Sequence, residues 1–99
     1  MGIGMELFIF ARFHVRAGME GEAQAVLGDQ VKQVRNEPGC LAIDVFVSVR
    51  DPQLFYLHSR WIDQAAFDVH AQLSRTRQFV TRMESVIDHP FEVTRSTRL

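Results

Sequence analysis

The chain has 99 residues, with 11 basic and 12 acidic side chains, and its formal net charge at pH 7 is −1. This length fits one domain with its own core, and the balanced charge gives no electrostatic reason to expect nucleic acid or an anionic membrane as a partner. The single cysteine, Cys40, excludes an internal disulfide, and no apolar run approaches the roughly 20 residues of a membrane span. We therefore expect a cytoplasmic protein with one domain over residues 5–99, preceded by a disordered or flexible N-terminus at residues 1–4.

Alternating apolar residues predict a first strand at residues 5–16, and it has two distinct faces. One face carries Leu7, Ile9, Ala11, Phe13 and Val15, and the other carries Phe8, Phe10, Arg12 and His14. Helical spacing follows over residues 20–36. Its single apolar stripe consists of Ala23, Val26, Leu27, Val31 and Val34. Pro38-Gly39 ends this helix.

Two further strands are predicted at residues 40–49 and 54–61, on either side of Arg50-Asp51-Pro52. The first of them carries its apolar residues in step on one face, namely Leu41, Ile43, Val45, Val47 and Val49. Asp63 is placed to cap a second helical region, whose spacing continues after Ser74 as far as Ile87. Pro90 prevents further helix, and residues 91–98 alternate weakly as a last strand.

This order of elements predicts an α+β fold of the ferredoxin-like split βαβ type (βαββαβ), with an antiparallel sheet and both helices on one face. The other face of the sheet then ought to meet water, but it carries four large aromatic residues. They are Phe8, Phe10, Phe46 and Tyr56, mixed with Arg12, Asp44, His58 and Arg60. Such a mixture is typical of an interface core with polar pairs. We therefore expect a homodimer in which two sheets pack face to face.

Trp61 and His70 are the residues that most suggest a site. Trp61 ends the third strand on its helix-facing side, and His70 lies on the apolar stripe of the next helix. One interpretation is structural, because a buried Trp anchors packing and a His on an apolar helical face is usually a satisfied core residue. In the other interpretation both side chains border one cavity, where an imidazole is a natural general base for a phenol or hydroquinone.

The parity of strand and helix positions predicts where such a cavity lies. We expect it inside each subunit, between the sheet and the second helical region, with Ser59 and His70 as its main polar groups. Its other walls would be Phe13, Leu57, Trp61, Phe67, Phe79 and Met83.

No metal or cofactor site is predicted. His14 and His58 share the presumed interface face, but no His, Cys or carboxylate spacing typical of a metal site accompanies them. His89 stands beside Pro90 as a loop residue, and Cys40 has the setting of a packing residue. The chain also lacks a glycine-rich phosphate loop, a serine elbow and a dinucleotide fingerprint. A tightly bound flavin or nicotinamide is therefore not expected.

The stretch from Asn36 to His70 resembles a known family. It contains Pro38-Gly39-Cys40, a strand-turn-strand with Asp51-Pro52 at the turn, then Trp61 and His70. In these features the chain resembles the antibiotic biosynthesis monooxygenase (ABM) family of the dimeric α+β-barrel superfamily. The resemblance implies a dimeric α+β barrel and an oxidoreductase that needs neither metal nor organic cofactor. It also implies a small aromatic, phenolic or quinol substrate, with His70 and Trp61 as catalytic residues.

The chain departs from the specialised branches of that family. Haem-degrading relatives carry an Asn on the first strand, and here Phe10-Ala11-Arg12-Phe13 has none. Leu57 stands where a polyketide-oxidising branch has an Asn, and Ser59 where many relatives have a Glu. These two departures favour a non-catalytic dimeric protein that binds a small ligand. The pairing of Trp61 with His70 favours a monooxygenase or an isomerase of a small hydroxylated metabolite, with His70 as the main candidate base.

Overall fold

The computed structural model describes residues 5–99 as a four-stranded antiparallel sheet with three helices. The elements in chain order are β1 (Leu7–His14), α1 (Glu20–Val34), β2 (Cys40–Val47), β3 (Leu54–Trp61), α2 (Gln64–Gln72), α3 (Ser74–Glu84) and β4 (Glu92–Ser96). The strand order β2-β3-β1-β4, antiparallel throughout, confirms the predicted ferredoxin-like fold. The flexible N-terminus predicted at residues 1–4 lies outside the described residues. Within residues 5–99, no helix combines the length and apolar character that crossing a bilayer requires.

The core lies between the helices and one face of the sheet. The predicted inward residues of β1 and the next position, Val15, are each at most 5% exposed. The whole apolar stripe of α1 is buried against this face as well. Burial of each large side chain contributes about 1.5–3 kcal/mol, so this layer holds the sheet and helices together. The opposite face of the sheet is left without a helix over it.

The turn between α1 and β2 packs directly on α2. Gly39 adopts φ +83°, and a Cβ at this position would lie 2.5 Å from the Cβ of Ala66. The turn is closed by hydrogen bonds from Glu37 N to Val34 O and from Cys40 N to Glu37 O. As predicted, Asp63 caps α2, because its carboxylate accepts a hydrogen bond from Ala66 N at 2.9 Å. These contacts bring Glu37 beside α2.

The burial of side chains along β2 differs from the prediction. Of the five apolar residues predicted on its inner face, Ile43 is buried and Val45 is half-buried, whereas Leu41, Val47 and, beyond the end of the strand, Val49 are exposed. β2 is an outer strand of the sheet, and an irregularity between Cys40 and Ala42 takes Leu41 out of the regular register. The helices therefore cover the middle of β2 and leave Leu41, Val47 and Val49 outside.

The second helical region is two helices. Leu73 is extended (φ −66°, ψ 142°) and separates α2 from α3. His70 thus lies in the last turn of α2. Val86 and Ile87, predicted as helical, are buried beyond the end of α3, where Ile87 pairs with Val15.

Candidate functional site

A cavity of about 190 Å³ lies between the sheet and the helices. Six of the residues predicted to form a site line it, namely Phe13, Leu57, Ser59, Phe67, His70 and Phe79. The rest of the lining is Ile9, Ala11, Gln30, Ile43, Ala71, Thr76, Val80, Phe91 and Val93. The walls are mostly apolar and carry few polar groups. An apolar cavity of roughly 150 Å³ already holds benzene, so the available space suits a compact aromatic molecule.

Trp61 and Met83 were also predicted as walls, but neither lines the cavity. Trp61 is completely buried, and its indole N–H donates to Ser59 Oγ at 3.0 Å. Its ring centroid lies 4.8 Å from that of His70. Trp61 therefore contacts two side chains that line the cavity, Ser59 and His70, without lining it itself. Met83 is likewise buried, in the core cluster that also contains Phe79.

His70 joins the cavity to a buried carboxylate. Its Nδ1 lies 2.7 Å from Glu37 Oε1, and both side chains are buried. An ionised carboxylate can only accept, so Nδ1 carries a proton and donates it. Nε2 has no hydrogen-bond partner among residues 5–99, where no fully enclosed side-chain polar atom is unpaired. Nε2 therefore keeps some accessible surface, and since His70 lines the cavity we interpret Nε2 as the nitrogen that faces it; in the neutral ring it is the basic nitrogen.

Glu37 is held on its other side by Arg75, from the first turn of α3. Glu37 Oε2 accepts hydrogen bonds from Arg75 Nε at 3.2 Å and Nη2 at 3.1 Å. Thr76 Oγ1 lies 3.4 Å from His70 Nδ1, at the long limit for a hydrogen bond. A chain of charged and polar groups thus runs from the half-exposed Arg75 to the cavity. A carboxylate that orients an imidazole in this way is the usual support for a general base.

The sequence did not identify Glu37, which directly precedes the Pro38-Gly39 turn, as a site residue. A usable signal existed in the antiparallel pairing of β2 with β3, because Cys40 lies opposite Trp61. The residues just before β2 must then lie close to those just after β3, where α2 begins. Glu37 supplies a carboxylate to His70 from the turn between α1 and β2.

A second histidine network lies at the far end of β1. His14 Nδ1 is 2.8 Å from Asp88 Oδ2, and His14 Nε2 is 2.9 Å from Asp51 Oδ2. Since carboxylates only accept, both contacts are hydrogen bonds only when both ring nitrogens carry protons, so this arrangement favours the imidazolium. The hydrogen bonds to Asp88 and then Asp51 raise the pKa of His14 above its ordinary value of 6.5. His89 Nδ1 contacts the second oxygen of Asp88 at 2.6 Å.

This network also contains a geometric candidate for a metal site. His14, Asp88 and His89 bring one potential ligand atom each within 4.8 Å of one another. Both nitrogens of His14 are already bound to carboxylates, however, so the arrangement is a complete hydrogen-bonded network as it stands. Neither His14 nor His89 lines the cavity.

The remaining candidates do not join the cavity either. His58 lies on the uncovered sheet face, with its ring centroid 4.8 Å from that of Phe10. Burial raises the pKa of the Cys40 thiol, which makes it a poor nucleophile. Cys40 therefore has the packing role that its sequence context suggests.

Three comparisons with known proteins agree with one another. The family model described as antibiotic biosynthesis monooxygenase matches residues 7–82. A Bacillus subtilis protein named "Putative monooxygenase YcnE" is 26% identical over 94 residues, or 95% of each chain. A solved antibiotic biosynthesis monooxygenase superposes with a TM-score of 0.88 at 25% identity, over 94% of this chain and 98% of that chain. The structure of PA3566 from Pseudomonas aeruginosa superposes with a TM-score of 0.89 at 24% identity, and the match covers 100% of this chain and 99% of that chain. The matched family region contains Glu37, His70 and all of the cavity lining except Phe91 and Val93.

Proposed function

Because the chain belongs to the antibiotic biosynthesis monooxygenase family, we propose that it is a monooxygenase that uses neither metal nor organic cofactor. Its proposed substrate is a small aromatic, phenolic or quinol molecule. The observation that carries this proposal is the Glu37–His70 pair at the wall of a mostly apolar cavity. A flat ligand suits such a cavity, and a single basic nitrogen facing it gives the ligand a defined orientation.

His70 is the proposed general base. Its Nε2 takes the proton of a phenolic hydroxyl, while Glu37 holds the Nδ1 tautomer and compensates the charge that develops on the ring. The phenolate is richer in electrons than the neutral phenol and transfers one electron to dioxygen. The resulting aryloxyl radical and superoxide then combine to form a C–O bond at a ring carbon.

The remaining steps balance the reaction. The His70 imidazolium returns its proton to the peroxide oxygen, which gives a hydroperoxide. The ring C–H proton is then lost as the O–O bond breaks, which leaves a carbonyl on the ring, and the departing hydroxide combines with that proton to form water. A hydroquinone plus dioxygen therefore gives a hydroxyquinone plus water, and His70 returns to its starting state.

The other predicted site residues have supporting roles in this proposal. The apolar walls keep bulk water from the radical pair and place the ring against His70; they are Phe13, Leu57, Phe67 and Phe79. Trp61 is a positioning residue, because it holds Ser59 by a hydrogen bond and packs on the imidazole. Met83 supports Phe79 from the core.

An isomerase of a small hydroxylated metabolite is the second candidate. The same Glu37–His70 pair would move a proton between two positions of such a substrate without dioxygen. A protein that only binds a ligand is the third candidate; the Glu37–His70 pair would then orient a bound hydroxyl group, and binding without turnover of any compound would favour this candidate.

Oxygen uptake during a screen of hydroquinones, naphthols and anthrones tests the proposal. We expect uptake with at least one compound, and we expect His70→Ala to lower the rate by about 100-fold or more. His89→Ala is the matched control, because His89 is exposed and outside the cavity. Uptake with none of the compounds, or an equal rate in His70→Ala, would exclude this oxygenase. Conversion of a hydroxylated compound in the absence of oxygen would favour the isomerase.

We also propose that the protein acts as a cytoplasmic homodimer. The support is the aromatic sheet face, which we define as Phe8, Phe10, Phe46 and Tyr56. In one subunit this face has no helix over it, and three of its four side chains are exposed.

A further inference from the structure

Gln30 occupies a position in α1 where an apolar side chain is expected. It lies in the stripe that packs against the sheet, together with Val26, Leu27, Val31 and Val34. Only 6% of its surface is exposed. A buried amide without a hydrogen-bond partner is unfavourable, and a leucine at this point of the stripe would avoid that cost.

The Gln30 amide has no hydrogen-bond partner among residues 5–99, in contrast to the other buried polar side chains of the lining. Ser59 accepts from Trp61, and His70 donates to Glu37. No fully enclosed side-chain polar atom in the same residues is unpaired, so the amide must reach open space. Gln30 lines the cavity and also an adjoining groove of about 240 Å³ between α1 and α3.

We propose that Gln30 is a ligand-binding residue that recognises a second oxygen atom of the substrate. The ligand is then a compact aromatic molecule with two oxygens, one at His70 Nε2 and the other hydrogen-bonded to the Gln30 amide. The part of this inference that places one ligand oxygen at His70 rests on the proposed function. An amide both donates and accepts, so it pairs equally with the hydroxyl of a quinol and with the carbonyl of the quinone formed from it.

The test compares ligands that differ by one oxygen, under anaerobic conditions so that oxidation does not intervene. Dissociation constants are measured by calorimetry for 1-naphthol against 1,4-dihydroxynaphthalene and for phenol against hydroquinone. One added hydrogen bond changes affinity by about three- to tenfold, so we expect the wild type to prefer the dihydroxy compound of each pair by that factor.

Gln30→Leu and Gln30→Met should remove the preference, so that the monohydroxy and dihydroxy compounds of each pair bind with equal affinity. The two variants differ in shape, so a packing defect specific to one of them is recognised by comparison. Gln33→Leu is the matched control, because Gln33 is an exposed residue of the same helix that lines only the outer groove. This control should keep the wild-type preference.

The inference is overturned if the preference survives in both Gln30 variants, if the wild type has no preference, or if the wild type binds none of the four compounds. Failure of the oxygenase proposal is distinguishable from these results. If no compound supports oxygen uptake but the preference depends on Gln30, the recognition role stands and the oxygenase does not.

Discussion

Glu37 is the residue that distinguishes His70 from an ordinary core histidine. A buried carboxylate is costly unless it is paired, and here both of its oxygens are occupied, by His70 Nδ1 and by Arg75. The arrangement fixes one tautomer of His70 and directs its free nitrogen to the cavity. This geometry is the one that the proposed general base requires.

We predict that Glu37→Gln lowers the rate of oxygen uptake by on the order of 10- to 100-fold, less than the loss of the base itself. The amide keeps the shape of the side chain, but it can donate to Nδ1 as well as accept, so the tautomer is no longer fixed. Nitrogen-15 NMR of the imidazole should show a mixture of tautomers. Glu22→Gln, an exposed substitution in the first turn of α1, is the control. An unchanged rate together with an unchanged tautomer would contradict the role of Glu37.

The sequence predicted those site residues whose placement follows from local periodicity. Strand parity placed Phe13, Leu57 and Ser59, and helical spacing placed Phe67 and His70. Trp61 was misplaced because parity gives the side of the sheet but not the direction of the ring, which lies behind Ser59. Glu37 depends on a contact across 33 positions, between a turn and a helix. Such a contact has no local signal.

Gln30 was missed for a different reason. A search for the apolar stripe of α1 passes over a polar residue in its middle, although the spacing places Gln30 on the same buried face. The departure from the apolar pattern was itself the signal. The proposed role of Gln30 depends on the cavity beside that position, which the sequence does not reveal.

At the scale of the elements, the strands and the first helix were predictable because their patterns are short and regular. The division of the second helical region was not, since Gln72-Leu73-Ser74 contains neither proline nor glycine. The exposed end of β2 was not predictable either. Its alternation continues to Val49, but how far the helices extend over an outer strand depends on the packing of the whole domain.

The contact between the α1–β2 turn and α2 gives a stability prediction at Gly39. Gly39→Ala should destabilise the protein by about 1–2 kcal/mol through its positive φ and by about 1–3 kcal/mol more through overpacking. The added Cβ would approach the Cβ of Ala66 to 2.5 Å and Cγ1 of Ile62 to 3.2 Å. Urea unfolding measures the loss of free energy.

Gly18→Ala is the matched control for this prediction. Gly18 has a similar φ of +91°, but nothing lies within 4 Å of a Cβ at that position. The difference between the two variants therefore isolates the contact with α2. Equal losses of unfolding free energy in the two variants would show that the turn can move away from the helix without loss of stability.

The His14 network ties three segments together: the end of β1, the turn between β2 and β3, and the segment before β4. The pKa of Asp51 is lowered by the backbone N–H of Gln53 and by His14. Burial opposes ionisation of Asp88, but its contacts with His14 and His89 outweigh this effect and lower its pKa too. The network should thus affect stability at both ends of the pH range.

The direction of the pH dependence follows from the linkage between folding and proton binding. The raised pKa of His14 gives stability that is full below its ordinary value of 6.5 and is lost as the pH rises through the folded-state pKa. The lowered pKa values of the two aspartates give stability that is present above 3.8 and is lost as the pH falls. The contribution is therefore largest between about pH 4 and 6.5.

We predict that the Tm of the wild type, relative to that of His14→Gln, falls as the pH is raised from 6 to 8. The glutamine cannot carry the positive charge, so this variant should lack that part of the pH dependence. His58→Gln is the control, because His58 lies on the same sheet face but makes no side-chain hydrogen bond to the described residues. Parallel Tm curves for the wild type and His14→Gln would mean that the network adds no stability linked to pH.

At the scale of the whole molecule, the cavity and the aromatic sheet face lie on opposite sides of one sheet. The cavity is lined by residues of one subunit, on the side of the helices. On the other side, Phe10 and Phe46 are 52% and 53% exposed, and Tyr56 is 40% exposed. Apolar surface of this kind is the usual mark of an interface, and complete burial of each ring contributes on the order of 2 kcal/mol. Association should therefore be separable from ligand binding.

The last prediction tests that separation with Phe10→Asp. The new carboxylate would lie in the row formed by Phe10, His58 and Asp44, where a facing sheet would bury its charge. Light scattering at micromolar concentration should give a dimer for the wild type and a monomer for the variant. Val69→Asp should remain dimeric, because Val69 is 64% exposed on α2, away from the sheet face.

The monomeric variant Phe10→Asp should still bind 1,4-dihydroxynaphthalene, since no lining residue of the cavity comes from the aromatic sheet face. A monomeric wild type would exclude the dimer, and loss of binding in a folded Phe10→Asp monomer would show that the site depends on the second subunit.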